Sequence, residues 1–470
     1  MIDYLEQFLL GMRPAFSRQA TFNWFVIVFV GFLVRSDTLG VSSIVRALFL
    51  SPHSYPCLLH FFHSTAWQVE SLMPCWWKWQ AQEPFAYREK DRIVLVGDHT
   101  KTPKDARKMP AVTTLHQDSE TASKPSFFRG HHWGCISQLM TDRKKYWSAP
   151  LFARIHQGLE QVEGSTGTMS TRIVNMAQTI AQEMGEKGYL VLDAFFAVGP
   201  VFNEAAKEID GERNRIHILT RSKKNVVAYL PYTGPQKSSG RHRVYGSKLK
   251  LMKLFDSNSW GKQFKTTNTV VYQKKETIRY LILDLLWIPT KGLIRFFLIE
   301  TSRGRIILMT SDLTLDVRAV LTLYCERITI EIMFDTLKNV MGGLAYHFWS
   351  TPLPPVSRRP LRNASPLPKS SKPELTQNTF DAIEKFVNVQ FLVLGLLQLV
   401  AAKFPLHVWA KSKCWLRTYT SDTPSEFVTR TAFINIIRCN LLGFGKDWIT
   451  HLIQQKQNNS TNPVILGQTG

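Results

Sequence analysis

The hydrophobic pattern in the middle of the chain predicts strands that alternate with helices. Short continuous apolar runs have the pattern of buried strands, and apolar residues recur at helical spacing between Ile173 and Met184. The first and fourth strands end in carboxylates, Asp98 and Asp193. The five predicted strands cover residues 92–98, 132–141, 146–156, 189–193 and 215–221. Three strands precede the first helix, and a short helix separates the last two strands.

This order is that of a ribonuclease-H-like α/β core. Residues 222–311 then carry five further strand patterns, which we interpret as a β-rich insertion. After the insertion, residues 323–339 have the pattern of one long helix that completes the core. The predicted fold class is therefore α/β, a ribonuclease-H-like core interrupted by a β-rich insertion, with helical N- and C-terminal regions.

The same pattern divides the chain into six parts. A Pro-rich stretch marks a linker, and the flanks have helical patterns. Two apolar runs, at residues 22–34 and 391–402, are shorter than the ~20 residues that span a bilayer, so we expect buried helices there. The predicted parts are a helical N-terminal region (1–85), the first part of the core (90–221), the insertion (222–311), the helix that completes the core (312–345), the linker (350–377) and a helical C-terminal region (378–470).

Composition and charge favour a polyanionic partner. The 470 residues include 58 Lys and Arg against 36 Asp and Glu, a net charge of +22. Such an excess favours nucleic acid first and an anionic membrane second. Residues 39–49 carry Gly40 and then Ser42 and Ser43, which fit the turn and second helix of a small DNA-binding unit, although many helical pairs share this pattern.

Cysteine spacing and missing motifs exclude several classes. The six cysteines are scattered without a close pair, so zinc sites and a disulfide scaffold are not expected, and a reduced cytosolic protein is the simplest interpretation. The spacing of His116, His131 and His132 matches no zinc pattern, and we interpret them as structural or DNA-facing. The sequence also lacks the phosphate-binding, dinucleotide-binding and serine-hydrolase motifs.

Four side chains share one face of the predicted long helix. At about 100° per residue, Tyr324, Arg327, Glu331 and Lys338 fall within roughly 60° of one another. Two cations and a phenol around one carboxylate suit a phosphate backbone beside a metal-bound reaction centre. Asp335 lies on the same face and competes with Glu331 for the role of carboxylate. A solvated charged face is the alternative interpretation.

Three carboxylates are expected to converge. Adjacent parallel strands bring their carboxyl ends together, so Asp98 and Asp193 should meet, with Glu331 supplied by the helix above them. Two divalent ions on such oxygen ligands would activate an attacking oxygen and stabilise the leaving one. Each aspartate alone is as well explained as the cap of a turn. Asp312 is predicted to be the N-cap of the long helix.

The spacing Tyr-x2-Arg-x3-Glu-x6-Lys resembles the YREK signature of bacterial insertion-sequence transposases of the DDE type, the insertion sequence 4-like group. Residues 97–111, 130–135, 188–198 and 240–252 also look like segments of these enzymes. The resemblance implies a catalytic and metal-binding triad of Asp98, Asp193 and Glu331 with two Mg²⁺ ions, for which Mn²⁺ would substitute. It further implies that Tyr324, Arg327 and Lys338 bind DNA near the cleaved end.

The implied activity is cut-and-paste transposition. Such an enzyme binds the terminal inverted repeats of its element, cleaves them, and transfers the 3′ ends to target DNA. It acts as a homodimer in a synaptic complex, in the cytoplasm with the nucleoid and without a membrane. A Trp of the insertion stacks on a flipped base in this group, and Trp260 and Trp287 are unassigned candidates. The open alternatives are a catalytically inactive DNA-binding relative, a general ribonuclease-H-like nuclease and a membrane-associated protein.

Overall fold

A computed structural model of the chain describes residues 1–117, 126–159, 167–209, 211–358, 369–413, 415 and 422–457. The α-helices in these residues are α1 (Ile2–Gly11), α2 (Gln19–Val34), α3 (Ser42–Ala47), α4 (Ser54–His63), α5 (Val69–Ala81), α6 (Met169–Glu183), α7 (Gly199–Ala205), α8 (Asn258–Gly261), α9 (Val317–Glu326), α10 (Ile328–Asp335), α11 (Pro373–Lys403), α12 (Pro405–Ser412), α13 (Glu426–Cys439) and α14 (Trp448–Gln454). The strands are β1 (Arg88–Glu89), β2 (Arg92–Pro103), β3 (Thr113–His116), β4 (Phe127–Thr141), β5 (Tyr146–Ile155), β6 (Gly188–Leu192), β7 (Ile216–Arg221), β8 (Val227–Pro231), β9 (Tyr245–Lys250), β10 (Lys265–Val271), β11 (Lys274–Trp287), β12 (Gly292–Thr301) and β13 (Gly304–Thr310).

One half of the sheet has the strand order β5-β4-β2-β6-β7. The strand β2 is antiparallel to β4 and parallel to β6, and β6 is parallel to β7. Three antiparallel strands followed by two parallel ones form the predicted α/β core, and all five predicted strands are present. The short strand β3, which pairs with β4, was not predicted.

The other half of the sheet is built from residues after β7. Strand β13 pairs with β7, and β12, β11, β8 and β9 follow in order, while β10 pairs with the free part of β11. One of the five strand patterns predicted within the insertion, over residues 269–274, was wrong at Tyr272 and Gln273, which form the turn between β10 and β11. Both have positive φ angles, 46° and 65°, a backbone conformation that residues other than glycine rarely adopt. Strand β9 was not predicted.

The predicted long helix over residues 323–339 is interrupted. It consists of α9, α10 and a π-helical turn, Thr336–Val340, with the break at Arg327. The hydroxyl of Thr329 donates to the carbonyl of Glu326 at 2.7 Å, a side-chain bond that competes with regular helix bonding at this point. The prediction that Asp312 is the N-cap of this helix was wrong. Asp316 caps α9, and Asp312 accepts a hydrogen bond from the Tyr189 hydroxyl at 2.6 Å.

Helix α11 contains the predicted apolar run over residues 391–402. Among the described residues it is the one helix long and apolar enough to cross a membrane, but 94% of its most apolar window is buried in the protein. The predicted apolar run was too short, although the expectation of a buried helix is confirmed. The Asn388 side chain bonds both the N–H and the carbonyl of Ala153, at 3.0 and 2.9 Å, and Glu384 accepts from the N–H of Ile155. The helix therefore covers the edge strand β5.

The N-terminal helices pack on the same strand. The indoles of Trp76 and Trp77 donate to the carbonyls of Pro150 and Leu151, at 2.8 and 2.9 Å, and both rings are buried. These helices, the sheet and α11 share one continuous apolar core. Of the predicted linker and C-terminal region, residues 359–368, 414, 416–421 and 458–470 lie outside the described residues. The limits of the predicted parts stay a prediction.

Candidate active site

The parallel strands β2 and β6 bring Asp98 and Asp193 level with each other. Their register pairs Val96 with Val191, and two further residues along each chain lead to the two aspartates. Asp193 directly follows β6, as predicted, and its carboxylate accepts from the N–H of Phe195 at 3.0 Å. Asp98, in contrast, does not end its strand. It lies within β2, which continues beside β4 to Pro103, so only the parallel pairing ends near Asp98.

Close packing behind Asp98 requires a residue without a side chain. A Cβ atom on Gly97 would lie 2.9 Å from the side chain of Leu192 and 3.2 Å from that of Ile173. Gly97 thus lets α6 and β6 approach the strand that carries Asp98.

Arg327 joins Asp98 to Glu331. Its guanidinium donates to Asp98 Oδ2 at 3.1 Å and to Glu331 Oε1 at 2.6 Å. The side chains of Asp98 and Arg327 are mostly buried, whereas Glu331 is 47% exposed. The break between α9 and α10 falls at Arg327, which directs its side chain to both carboxylates. One arginine therefore acts as the counter-ion of the site.

The electrostatics show a surplus of negative charge around the aspartates. Burial raises the pKa of Asp98 to about 6. Arg327 opposes this shift, and the charges of Asp193 and Glu331 add to it. Burial also raises the pKa of Asp193, while hydrogen bonds from backbone N–H groups and the charge of Arg327 lower it. Burial disfavours the charge on Arg327, but Asp98 and Glu331 still raise its pKa. A further cation would relieve the remaining repulsion between these carboxylates.

A cleft of about 740 Å³ opens beside the two aspartates. Asp98, Asp193 and Lys338 lie on its wall, and the Lys338 ammonium donates to the carbonyl of Lys101 at 3.3 Å. The cleft thus contains two of the three predicted catalytic carboxylates and one predicted DNA-binding residue. The rest of the wall consists of His99, Thr100, Lys101, Thr114, Leu115, His116, Gln117, His132, Gln157, Met169, Phe195 and Phe196.

Tyr324 lies on another side of the carboxylate site and is buried. Burial raises its pKa, while the charges of Arg221 and Arg327 lower it, so both arginines lie near its phenol. The turn residue Tyr272 is close to the same groups, and the guanidinium of Arg303 lies 4.1 Å from its ring centre. Tyr272, Arg221 and Arg303 were missed by sequence reasoning because only the fold brings the insertion next to α9.

Sequence reasoning named His132 but missed that it lies in a group with His99 and His156. His99 Nε2 and His156 Nδ1 are 3.0 Å apart, and the ring of His132 lies 4.8 Å from that of His99. The one available signal was the position of His99 directly after Asp98. His131 is fully buried and bonds the Tyr346 hydroxyl at 2.6 Å, which agrees with its structural interpretation. Asp335, the rival of Glu331, accepts from Asn339 at 2.6 Å and is exposed.

The donor atoms suit a hard divalent cation, since carboxylate oxygens are its preferred ligands and their mutual repulsion favours a cation. As the side chains stand, no three His, Cys, Asp or Glu residues in the described part of the chain are close enough to hold a metal ion. Asp98 and Asp193 face the cleft, and Glu331 is turned to Arg327. Glu331 would complete the ligand set only after leaving Arg327.

No curated protein matches the chain. Residues 11–280 match the family described as DDE superfamily endonuclease. The matched segment contains Asp98 and Asp193 and ends before Glu331. Because it spans more than half of the chain, the protein belongs to the DDE superfamily of endonucleases, nuclease-type enzymes that act on DNA with an α/β core of the ribonuclease-H-like type and generally use divalent metal ions.

Proposed function

We propose that the protein is a DNA transposase of the insertion sequence 4-like YREK group. It binds the terminal inverted repeats of its element, cleaves their phosphodiester bonds and transfers the 3′ ends to target DNA. The observation that carries the proposal is the arrangement of Asp98 and Asp193 at one level of neighbouring parallel strands, with Glu331 joined to Asp98 through Arg327.

In this proposal Asp98, Asp193 and Glu331 hold two Mg²⁺ ions, for which Mn²⁺ substitutes. Bound there, the ions supply activation of the attacking oxygen and stabilisation of the leaving oxygen. The rest of the chemistry depends on positioning by the chain. Asp193 is held by the N–H of Phe195, and Asp98 by the N–H of His99 at 2.7 Å, so both carboxylates are oriented before DNA binds.

Arg327 has two roles in this scheme. Without DNA it neutralises part of the charge of Asp98 and Glu331. With DNA its guanidinium donates to a phosphate near the cleaved end, since a phosphate accepts the same paired N–H groups as a carboxylate. Release of Glu331 from Arg327 then frees that carboxylate for the metal ligand set. Tyr324 and Lys338 bind neighbouring phosphates.

The insertion side supports a path for double-stranded DNA. Arg221 and Arg303 both lie near Tyr272, and Arg221 also lies near Tyr324. Arginines beside phenols suit a phosphate backbone. Trp287 is an unsuitable partner for a flipped base because it is buried against Phe202, with ring centres 5.5 Å apart, and Trp260 is half-buried.

Two element ends must be cleaved together, so the proposal includes a homodimeric synaptic complex. It also includes a location in the cytoplasm on the nucleoid, and a possible contribution of residues 1–85 to end recognition. The net charge of +22 favours these DNA contacts.

The first test is cleavage of linear DNA that carries the inverted repeats flanking the gene. With Mg²⁺ we expect nicks or double-strand breaks at the repeat tips, lost in the variants Asp193→Asn and Glu331→Gln because a neutral amide is a poor metal ligand. Asp335→Asn is the matched control, since Asp335 lies on the same helix, is exposed and has a local partner. It should cleave as the unmodified protein does.

Three outcomes contradict parts of the proposal. Full cleavage by Glu331→Gln would show that the triad is wrong. Binding to the repeats without cleavage would favour an inactive DNA-binding relative. Equal cleavage of DNA without the repeats would favour a general nuclease of the same fold.

A further inference from the structure

The loop after Asp193 exposes an aromatic ring in the catalytic cleft. Phe195 lies two residues after the carboxylate and lines the cleft, yet its side chain is 51% exposed. The next residue, Phe196, is buried, as expected of a phenylalanine in a core. Single exposed apolar side chains are common on protein surfaces, but this one lies on the wall of the cleft that also contains Asp98 and Asp193.

Phe195 is held firmly despite its exposure. Its N–H donates to Asp193 Oδ1 at 3.0 Å, so its backbone is tied to the catalytic carboxylate. Its ring meets Phe196 edge-on, with centres 5.2 Å apart, and the His99 ring at 6.1 Å. The Phe195 side chain, Asp98 and Asp193 line the same cleft. A preorganised ring loses little conformational freedom when a ligand stacks on it.

We propose that Phe195 stacks on the nucleobase that flanks the scissile phosphate and thereby fixes the position of the DNA strand in the cleft. The inference rests on the proposed function. A phosphate at Asp98 and Asp193 places its neighbouring base within one nucleotide of the carboxylates, and the Phe195 ring is an exposed aromatic surface on the wall of this cleft. Base–aromatic stacking is tolerant of sequence because every base has a flat face, so this contact acts on position and not on base identity.

The test uses photochemical cross-linking of end DNA to the full chain. 5-Iodouracil replaces the base on either side of the scissile phosphate, one position at a time, in a buffer with EDTA so that the DNA stays uncut. We expect a cross-link to the peptide that contains Phe195, identified by mass spectrometry. It should disappear in Phe195→Ala and persist in Phe195→Tyr, which retains a ring.

Kinetics provide the second measurement. Phe195→Ala should raise KM for end DNA by roughly 5- to 100-fold, as expected for the loss of one base–aromatic stack, and Phe195→Tyr should restore it. Phe427→Ala is the matched control, because Phe427 has the same 51% exposure but lies on α13. It should leave both the cross-link and KM unchanged.

The outcomes separate the two proposals. Cleavage at the repeat tips by the unmodified protein, with cross-links that Phe195→Ala leaves intact, would overturn the role of Phe195 and leave the transposase proposal standing. Failure of the unmodified protein to bind or cleave end DNA would overturn both. If Phe195→Ala does not fold, Phe195→Tyr becomes the deciding variant. Loss of the cross-link in Phe195→Tyr would overturn the stacking role.

Discussion

Strands of the two halves of the sheet differ in their exposure to solvent. In the core half, all five residues of β6 are buried, and helix α6 packs on β2, β4 and β6 while α10 and α11 contact β5. In the insertion half, β10 has exposed residues at alternate positions, among them Asn268 and Val270. Parallel strands that are covered by helices on both faces have continuous apolar sequences. Antiparallel strands with one solvent-exposed face have apolar and polar residues in alternation. The difference shows that β6 is enclosed by protein, whereas one face of β10 is exposed to solvent.

Asp98 and Asp193 lie in the core half, whereas Arg303, one of the cations that contact DNA in our proposal, lies in the insertion half. Asp98 is surrounded by strands on both sides, while Arg303 occupies the turn between β12 and β13. A buried frame keeps reacting groups in place, and an exposed surface leaves basic side chains accessible. Substitutions in the two halves should therefore differ in the property they change.

The largest expected effect comes from the ion pairs that join α5 and α11 to β5. Arg154 bonds both Glu70 and the buried Glu384. Arg154→Ala leaves a carboxylate buried without its partner and should lower the free energy of unfolding by about 3–5 kcal/mol. Urea denaturation measures this change in the free energy of unfolding. Arg279→Ala, which removes the partly exposed Arg279–Glu300 pair of the insertion, should cost less, about 1 kcal/mol. Equal losses would contradict the comparison.

The second-largest expected effect comes from the charge of Asp98, which lowers the free energy of unfolding. Its pKa of about 6 lies above the value of ~3.9 in an unfolded chain, so the folded state is penalised as pH rises through this window and fully penalised above it. In EDTA, Asp98→Asn should therefore stabilise the protein by up to about 3 kcal/mol at pH 7.5 and very little near pH 4.

Thermal melts between pH 4 and pH 8 measure this dependence. Asp284→Asn is the control in the insertion, where Asp284 pairs with Arg295 at 2.7 Å and is 36% exposed. Its effect should stay below about 1 kcal/mol. A stabilisation by Asp98→Asn that does not change with pH would show that the charge of Asp98 is not its source.

The third prediction compares the same Val-to-Thr substitution in the two halves of the sheet. Val191 in β6 is fully buried, whereas Val270 in β10 is 47% exposed. Val191→Thr places a hydroxyl in the apolar core and should destabilise by about 1–3 kcal/mol. Val270→Thr should stay within about 0.5 kcal/mol. Chemical denaturation measures the free energy of unfolding of both variants. A larger loss for Val270→Thr than for Val191→Thr would show that the two positions were assigned to the wrong faces.

The smallest expected effect concerns DNA affinity. If Arg303 contacts a phosphate, Arg303→Gln should weaken binding by a few fold at all sequences and lower the slope of log affinity against log salt by about 1. Titrations at several salt concentrations measure the slope. Arg438→Gln on the C-terminal helix α13 is the control and should leave the slope unchanged. The same slope for both variants would remove Arg303 from the DNA path.

The sequence predicted much of this architecture because the predictive signals are local. Continuous apolar runs identified the five core strands, and the two runs that lead to Asp98 and Asp193 identified a pair of carboxylates. The spacing of Tyr324, Arg327, Glu331 and Lys338 indicated a helix beside them. The prediction of one unbroken helix was wrong, because the break at Arg327 involves Thr329, whose hydroxyl also bonds Ser148 of β5 at 2.8 Å.

By itself the sequence determined the five core strands, their order, and the excess of positive charge, since each depends on neighbouring residues or on simple sums. Tertiary structure alone decided that Asp98 and Asp193 are level, that Arg327 bridges Asp98 and Glu331, and that α11 covers the edge of β5. These features depend on register and on contacts between residues far apart in the chain. Periodicity carries no information about such contacts, because it records which face of an element is apolar and not which element that face will meet.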